Sequence, residues 1–165
     1  MSTEQNKALL SRFIKEVFNR GNMSLVDELL APGFVDHEEL PPGIPPGREG
    51  VKQLTNMFRS AFPDFKATID DMIAEGDKVV ARQTWSGSHK GEFMGVPPTG
   101  KKVSFGVIDV VRIAGGKVVE HPEDLPVERH EFPGVLRREQ DGAEIQHDIY
   151  LLVRCMPSDS RPLDG

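Results

Sequence analysis

Up to Ala61 the apolar residues recur with helical spacing, and from Asp64 onward they alternate. Leu9, Leu10, Phe13, Ile14, Val17 and Phe18 share one stripe of a helix over 4–19, the pattern of a core-facing helix. Gly21 suits the left-handed position that ends it. A second, short helix is predicted from Ser24, with Asp27 as its capping-box partner, burying Leu25, Val26, Leu29 and Leu30 before Pro32-Gly33 stops it. Phe34-Val-Asp36-His37 reads as a short strand leading into the loop Pro41–Gly47. A third helix over about 48–61 turns Val51, Leu54, Met57, Phe58 and Ala61 inward.

Beyond Asp64 the period is two. Phe65, Ala67, Ile69 and later Met72 alternate with polar residues, and Gly76 lies in a turn. A strand over 78–89 puts Val79, Ala81, Gln83 and Trp85 on one face and Lys78, Val80, Arg82 and Thr84 on the other. The Pro/Gly turn 91–100 leads to a long strand whose one face carries Val103, Phe105, Val107, Asp109, Val111 and Ile113. After Gly115-Gly116 a last strand begins at 117, with Val119 and His121 expected on a common face. Helices followed by strands define an α+β class. The expected architecture is a curved antiparallel sheet wrapped around about three N-terminal helices, a cone with an internal pocket. Residues 1–135 are assigned to this domain and 136–165 to a divergent, partly disordered C-terminal extension, in which 144–154 forms a further candidate strand.

The totals narrow the classes. With 165 residues the chain is one domain by size, and its net charge of −6 argues against a nucleic-acid binder, which needs a basic face. No apolar run approaches the roughly 20 residues needed to cross a bilayer, so no membrane partner is expected. The first residues, Met1-Ser-Thr-Glu-Gln-Asn-Lys7, lack the build of a signal peptide, and the single Cys155 allows no internal disulfide. A cytoplasmic protein is the expectation.

Candidate chemistry centres on Asp109, a carboxylate on an otherwise apolar strand face, with the His121 imidazole on the neighbouring strand. Each candidate has a plainer alternative. Asp109 could be paired with a buried donor, His121 could be structural, and Trp85 could serve only the core. The run Asp36-His37-Glu38-Glu39 shows no recognised zinc spacing, so no metal is expected. No Gly-rich phosphate loop, nucleophile elbow or dinucleotide fingerprint is present.

Six pieces occur in a telling order: Phe18-Asn-Arg-Gly-Asn22, Phe34-Val-Asp-His37, Gly47-Arg-Glu-Gly50, Ala61-Phe-Pro-Asp64, Gly91-Glu-Phe-Met-Gly-Val-Pro-Pro-Thr-Gly100 and Gly116-Lys-Val-Val-Glu-His121. In this the chain resembles the SnoaL-like polyketide (ester) cyclases of the nuclear transport factor 2-like superfamily, over roughly residues 5–121. The resemblance implies a homodimeric cone without metal or organic cofactor. It also implies a small-molecule carbonyl substrate, closed or isomerised by an aspartate that removes a proton next to a carbonyl. That aspartate follows the His of the last strand. Counting directly from His121 gives the role to Glu123, whereas the Asp–apolar–Pro order of Asp124-Leu-Pro126 gives it to Asp124, which we favour. Either acid could instead be an exposed loop residue.

His121 and Asp109 are then donors or orienting groups, and Asp36 and His37 are expected at the cavity mouth. Phe34, Trp85 and Phe105 complete the expected substrate contacts. An epoxide-hydrolase-like cone fits less well, because Val107 stands where that chemistry needs Arg two residues before Asp109. The rival from another class is a non-catalytic, ligand-binding dimeric cone.

Overall fold

The computed structural model describes residues 1–38 and 40–122. Glu123, Asp124 and everything expected of 123–165, including the candidate strand at 144–154, lie outside the described residues.

The first helix, α1 (Thr3–Phe13), opens on a capping box absent from the sequence reading. Ser2 Oγ accepts from the Gln5 amide at 3.2 Å, and Gln5 Oε1 accepts from the Ser2 amide at 2.8 Å. The expected single helix over 4–19 changes winding at Ile14 into a π-helical segment, Ile14–Asn19. That extra residue per turn matters for the site. It brings Phe13 and Phe18, five positions apart, into edge contact at 5.2 Å on one side of the segment. It also ends in Asn19, whose amide clamps the Ala67 backbone from both sides, donating to the carbonyl at 2.9 Å and accepting from the N–H at 2.7 Å.

Helix α2 (Ser24–Leu29) starts at the expected residue but not by the expected cap. Ser24 Oγ donates to Asn22, while Asp27 turns away to pair with Lys52 at 2.9 Å. Leu30, expected in the helix, is the first residue of β1 (Leu30–Asp36). Helix α3 (Gly47–Ala61) buries Leu54, Phe58 and Ala61 as its spacing predicts, and also Thr55, whose hydroxyl donates back to the Val51 carbonyl.

Strands β2 (Lys66–Glu75), β3 (Lys78–Ser88), β4 (Lys102–Ala114) and β5 (Lys117–His121) form an antiparallel meander, and β1 adds to β5 in parallel, giving the order β1-β5-β4-β3-β2. In β2 the apolar alternation skips a residue between Ile69 and Met72, and the ladder register shifts between Ile69 and Asp71. On β3 the predicted inner face holds: Val79, Ala81, Gln83 and Trp85 are all buried. Trp85 sits at the centre of the concave face, with Phe18, Phe58 and Phe65 meeting its ring edge-on at 5.4, 5.5 and 5.2 Å. Such pairs each add about 0.5–1.5 kcal/mol beyond simple burial. Among the described residues no helix is long and apolar enough to cross a membrane.

The turn after β3 docks on the end of α3. The Ala61 carbonyl accepts from the Lys90 and Gly91 amides, both at 2.9 Å, satisfying a helix-terminal acceptor. This approach leaves no room at Gly91, where a methyl would stand 2.2 Å from the Ser60 carbonyl oxygen. Gly91→Ala is therefore expected to destabilise the fold by about 1–3 kcal/mol, the cost of overpacking against rigid backbone. Urea unfolding of the variant beside wild type measures it.

Candidate active site

The sheet and the helices border a mostly apolar cavity. Leu10 and Phe13 of α1, Phe18 of the π-helical segment and Val51, Leu54, Thr55 and Phe58 of α3 line one side. Phe65, Trp85, Val111, Val118, Leu30 and Phe34 line the other, together with three ionisable groups: Asp36, Asp109 and His121.

Strand geometry explains why these three meet. Asp36 and His121 are direct partners in the parallel β1–β5 ladder, and the His37 amide donates to the His121 carbonyl at 3.0 Å. In the β4–β5 ladder Ile113 faces Val118 and Arg112 faces Glu120, so Val119 is an extra residue, a bulge. The bulge resets the alternation of β5. Val118 and His121, three residues apart, both face the cavity, instead of the expected Val119 and His121.

His121 Nδ1 lies 3.0 Å from Asp36 Oδ1, with 10% and 13% of the two side chains exposed. The same carboxylate oxygen accepts from the Glu38 amide at 3.2 Å, which fixes its direction. Burial opposes a charge on His121, but the Asp36 hydrogen bond and the negative charges of Asp109, Glu38 and Asp36 outweigh it and raise its pKa to about 9. At neutral pH the ring is an imidazolium, and Nδ1–H donates to Asp36. Ligand atoms of Asp36, Glu38 and His121 lie within 4.8 Å of one another, close enough to hold a divalent cation.

Asp109 enters from β4. Gln83 Nε2 donates to its Oδ2 at 2.5 Å, and the Trp85 indole N–H donates to Gln83 Oε1 at 3.1 Å. Gln83 is fully buried. The sequence placed it on the inner face but gave it no role; a polar residue between Ala81 and Trp85 on a buried strand face was the available signal.

The remaining candidates separate. Phe34 and Trp85 line the cavity, as do Asp36, Asp109 and His121. Phe105 packs behind Trp85, ring centres 6.1 Å apart, and is not among the lining residues. His37, one residue on from Asp36, is carried by strand alternation to the other face, where Nε2 meets Glu120 at 2.9 Å. Arg112 holds that Glu120 at 2.5 Å and, with His37, keeps its carboxyl below the usual range.

A curved, unclosed sheet cupped around three helices, with ionisable groups in the wall of a greasy pocket, defines an α+β cone of the nuclear transport factor 2-like type. Within it the chain belongs to the SnoaL-like polyketide cyclase family, whose model matches residues 8–123. It is 32% identical over 123 residues to the nogalonic acid methyl ester cyclase of Streptomyces nogalater, covering 73% of this chain and 87% of that one. Among solved structures it resembles TsrD from Streptomyces laurentii, with 30% identity and a TM-score of 0.65 over 73% of this chain and 87% of that one. IdmH from Streptomyces antibioticus is 34% identical with a TM-score of 0.61, over 71% and 88% of the two chains.

The raised His121 value has a consequence for stability. Because the folded pKa, about 9, exceeds the ordinary 6.5, the stabilisation is complete below about pH 6.5 and is lost as pH rises through about 9. The expected loss is up to about 3 kcal/mol. Unfolding free energies measured from pH 6 to 9.5 should fall across that interval, and Asp36→Asn should flatten the decline.

Proposed function

We propose that this protein is a cofactor-free cyclase or isomerase that enolises a small, largely apolar carbonyl compound by carboxylate general-base catalysis. The observation that carries the reading is a histidine bonded to Asp36 at 3.0 Å and sharing an otherwise apolar cavity with Asp109. Such a cavity strengthens electrostatic interactions with a developing enolate. A carboxylate takes a proton from the carbon next to a carbonyl. The C–H pair becomes the enolate double bond, and the carbonyl π pair moves to oxygen, where the His121 Nε2–H donates. In a cyclase the enolate carbon then attacks a second carbonyl of the same molecule, and the new alkoxide recovers the proton from the carboxylic acid. Asp124 or Glu123 is the base that the family motif nominates, and Asp109 is a further candidate, the carboxylate in the cavity wall besides the His121-bound Asp36. The nogalonic acid methyl ester cyclase supports the cyclisation reading through its name and its 32% identity.

Deuterium uptake from heavy water into β-keto esters and hydroxylated aromatic ketones tests this. Asp124→Asn, Glu123→Gln and Asp109→Asn, each verified as folded, are compared with wild type. The variant lacking the base should lose exchange by about 10²–10⁴-fold. Binding without exchange, surviving all three substitutions, would instead establish a non-catalytic ligand-binding cone.

The same reading includes pairing of two copies through the convex sheet face. There Ile73, 65% exposed, lies across the ladder from Val80, and Val80 lies across from Val110, an apolar stripe on the face opposite the buried Val79 and Ala81. Sedimentation velocity should show a dimer that Val80→Arg converts to monomer; a monomeric wild type would contradict the pairing.

A further inference from the structure

We propose that Gln83 is a positioning residue: tied to Trp85 behind it, it holds Asp109 as an accepting carboxylate in the cavity wall. The proposal deepens the catalytic reading of this cavity and rests on it.

The argument begins with donors and acceptors. An indole N–H can only donate, so the Gln83 amide must turn its oxygen to Trp85. Its NH₂ then necessarily faces Asp109 Oδ2, which must accept. The amide is fully buried and cannot trade either bond for water. A flip would set amide oxygen against carboxylate and NH₂ against indole N–H, two repulsive contacts in place of two bonds. Trp85 in turn is locked by the aromatic rings around it. Rigid packing is thereby converted into a fixed direction for one carboxylate oxygen, and a donor to the ionised form favours ionisation.

Among the described residues, the ionisable groups that share the cavity wall with Asp109 are His121 of β5 and Asp36 of β1, and Glu38 just beyond β1 also acts on His121. The helices contribute only apolar side chains and Thr55 to the described cavity wall. Gln83 does not itself line the cavity, so it acts through Asp109.

Three variants test this: Gln83→Met, Gln83→Glu and Trp85→Phe. Two readouts are used, the carbon-13 titration of the Asp109 carboxyl, assigned against Asp109→Asn, and the pH profile of deuterium exchange. In Gln83→Met the Asp109 titration should move up by about one unit; where the exchange assays identify Asp109 as the base, the acid limb of kcat should move with it while KM stays within about threefold. Gln83→Glu keeps a donor only while its carboxyl is protonated. It should therefore match wild type at low pH and lose activity as pH rises, a reversal that general loosening of the core does not produce. Should Gln83→Met fail to fold, Trp85→Phe frees the amide and should raise the Asp109 value by a smaller step. An Asp109 titration unchanged in Gln83→Met or Trp85→Phe overturns the proposal, as does, with Asp109 identified as the base, a Gln83→Glu profile parallel to wild type. If wild type shows no exchange on any ketone, the catalytic reading fails, and the titration alone still decides whether Gln83 governs Asp109.

Discussion

The buried pair of Asp36 and His121 sets the constraint on which this site depends. A cationic imidazole under the apolar wall of a cone is tolerable only when carboxylates stand beside it. Here they do: Asp36 is bonded to the ring, and Asp109 and Glu38 add their fields. Remove those charges and burial alone would drive the ring to its neutral form. The pair also marks the seam where β1 pairs with β5, so the contact that joins the two strands lies in the wall of the cavity.

Two local irregularities shape the site around the pair. The Val119 bulge turns His121 inward, and the π-helical turn at Ile14–Asn19 places Phe18 over the cavity while Asn19 anchors β2. Both depart from ideal periodicity, and both lie against the site. Regular strands and helices build the apolar enclosure; the deviations aim particular side chains into it.

Much of this was legible in the sequence, because amphipathic spacing is a local property. The helices, the long strands, and the inward placement of Asp109, Gln83 and Trp85 follow from period alone. The helical period does not reveal a π turn, since one inserted residue leaves Phe13 and Phe18 both apolar and compatible with either winding. Nor does alternation reveal a bulge: Val118 and Val119 are the same residue type, so the pattern could not say which faces the core. The parallel contact between residues 36 and 121 joins segments far apart in sequence, and His37 seemed as near the mouth as Asp36 until the strand's alternation separated them. Gln83 was visible as a position and invisible as a partner, because its role exists only once Trp85 and Asp109 flank it in space.

The family relationship supplies a class of reaction, and the proposed enolisation would use this site. In that proposal the apolar cavity would favour carbonyl compounds over ions, and a cationic donor would lower the energy of the enolate. The most direct measurement is nitrogen-15 NMR of the histidine rings across pH 6 to 10 in wild type and Asp36→Asn. His121 should be doubly protonated at pH 7.5 and titrate near 9, with a clearly lower value once Asp36 is neutral. A His121 that is already neutral at pH 7, or whose titration ignores Asp36, would contradict the charged site on which the proposed chemistry stands.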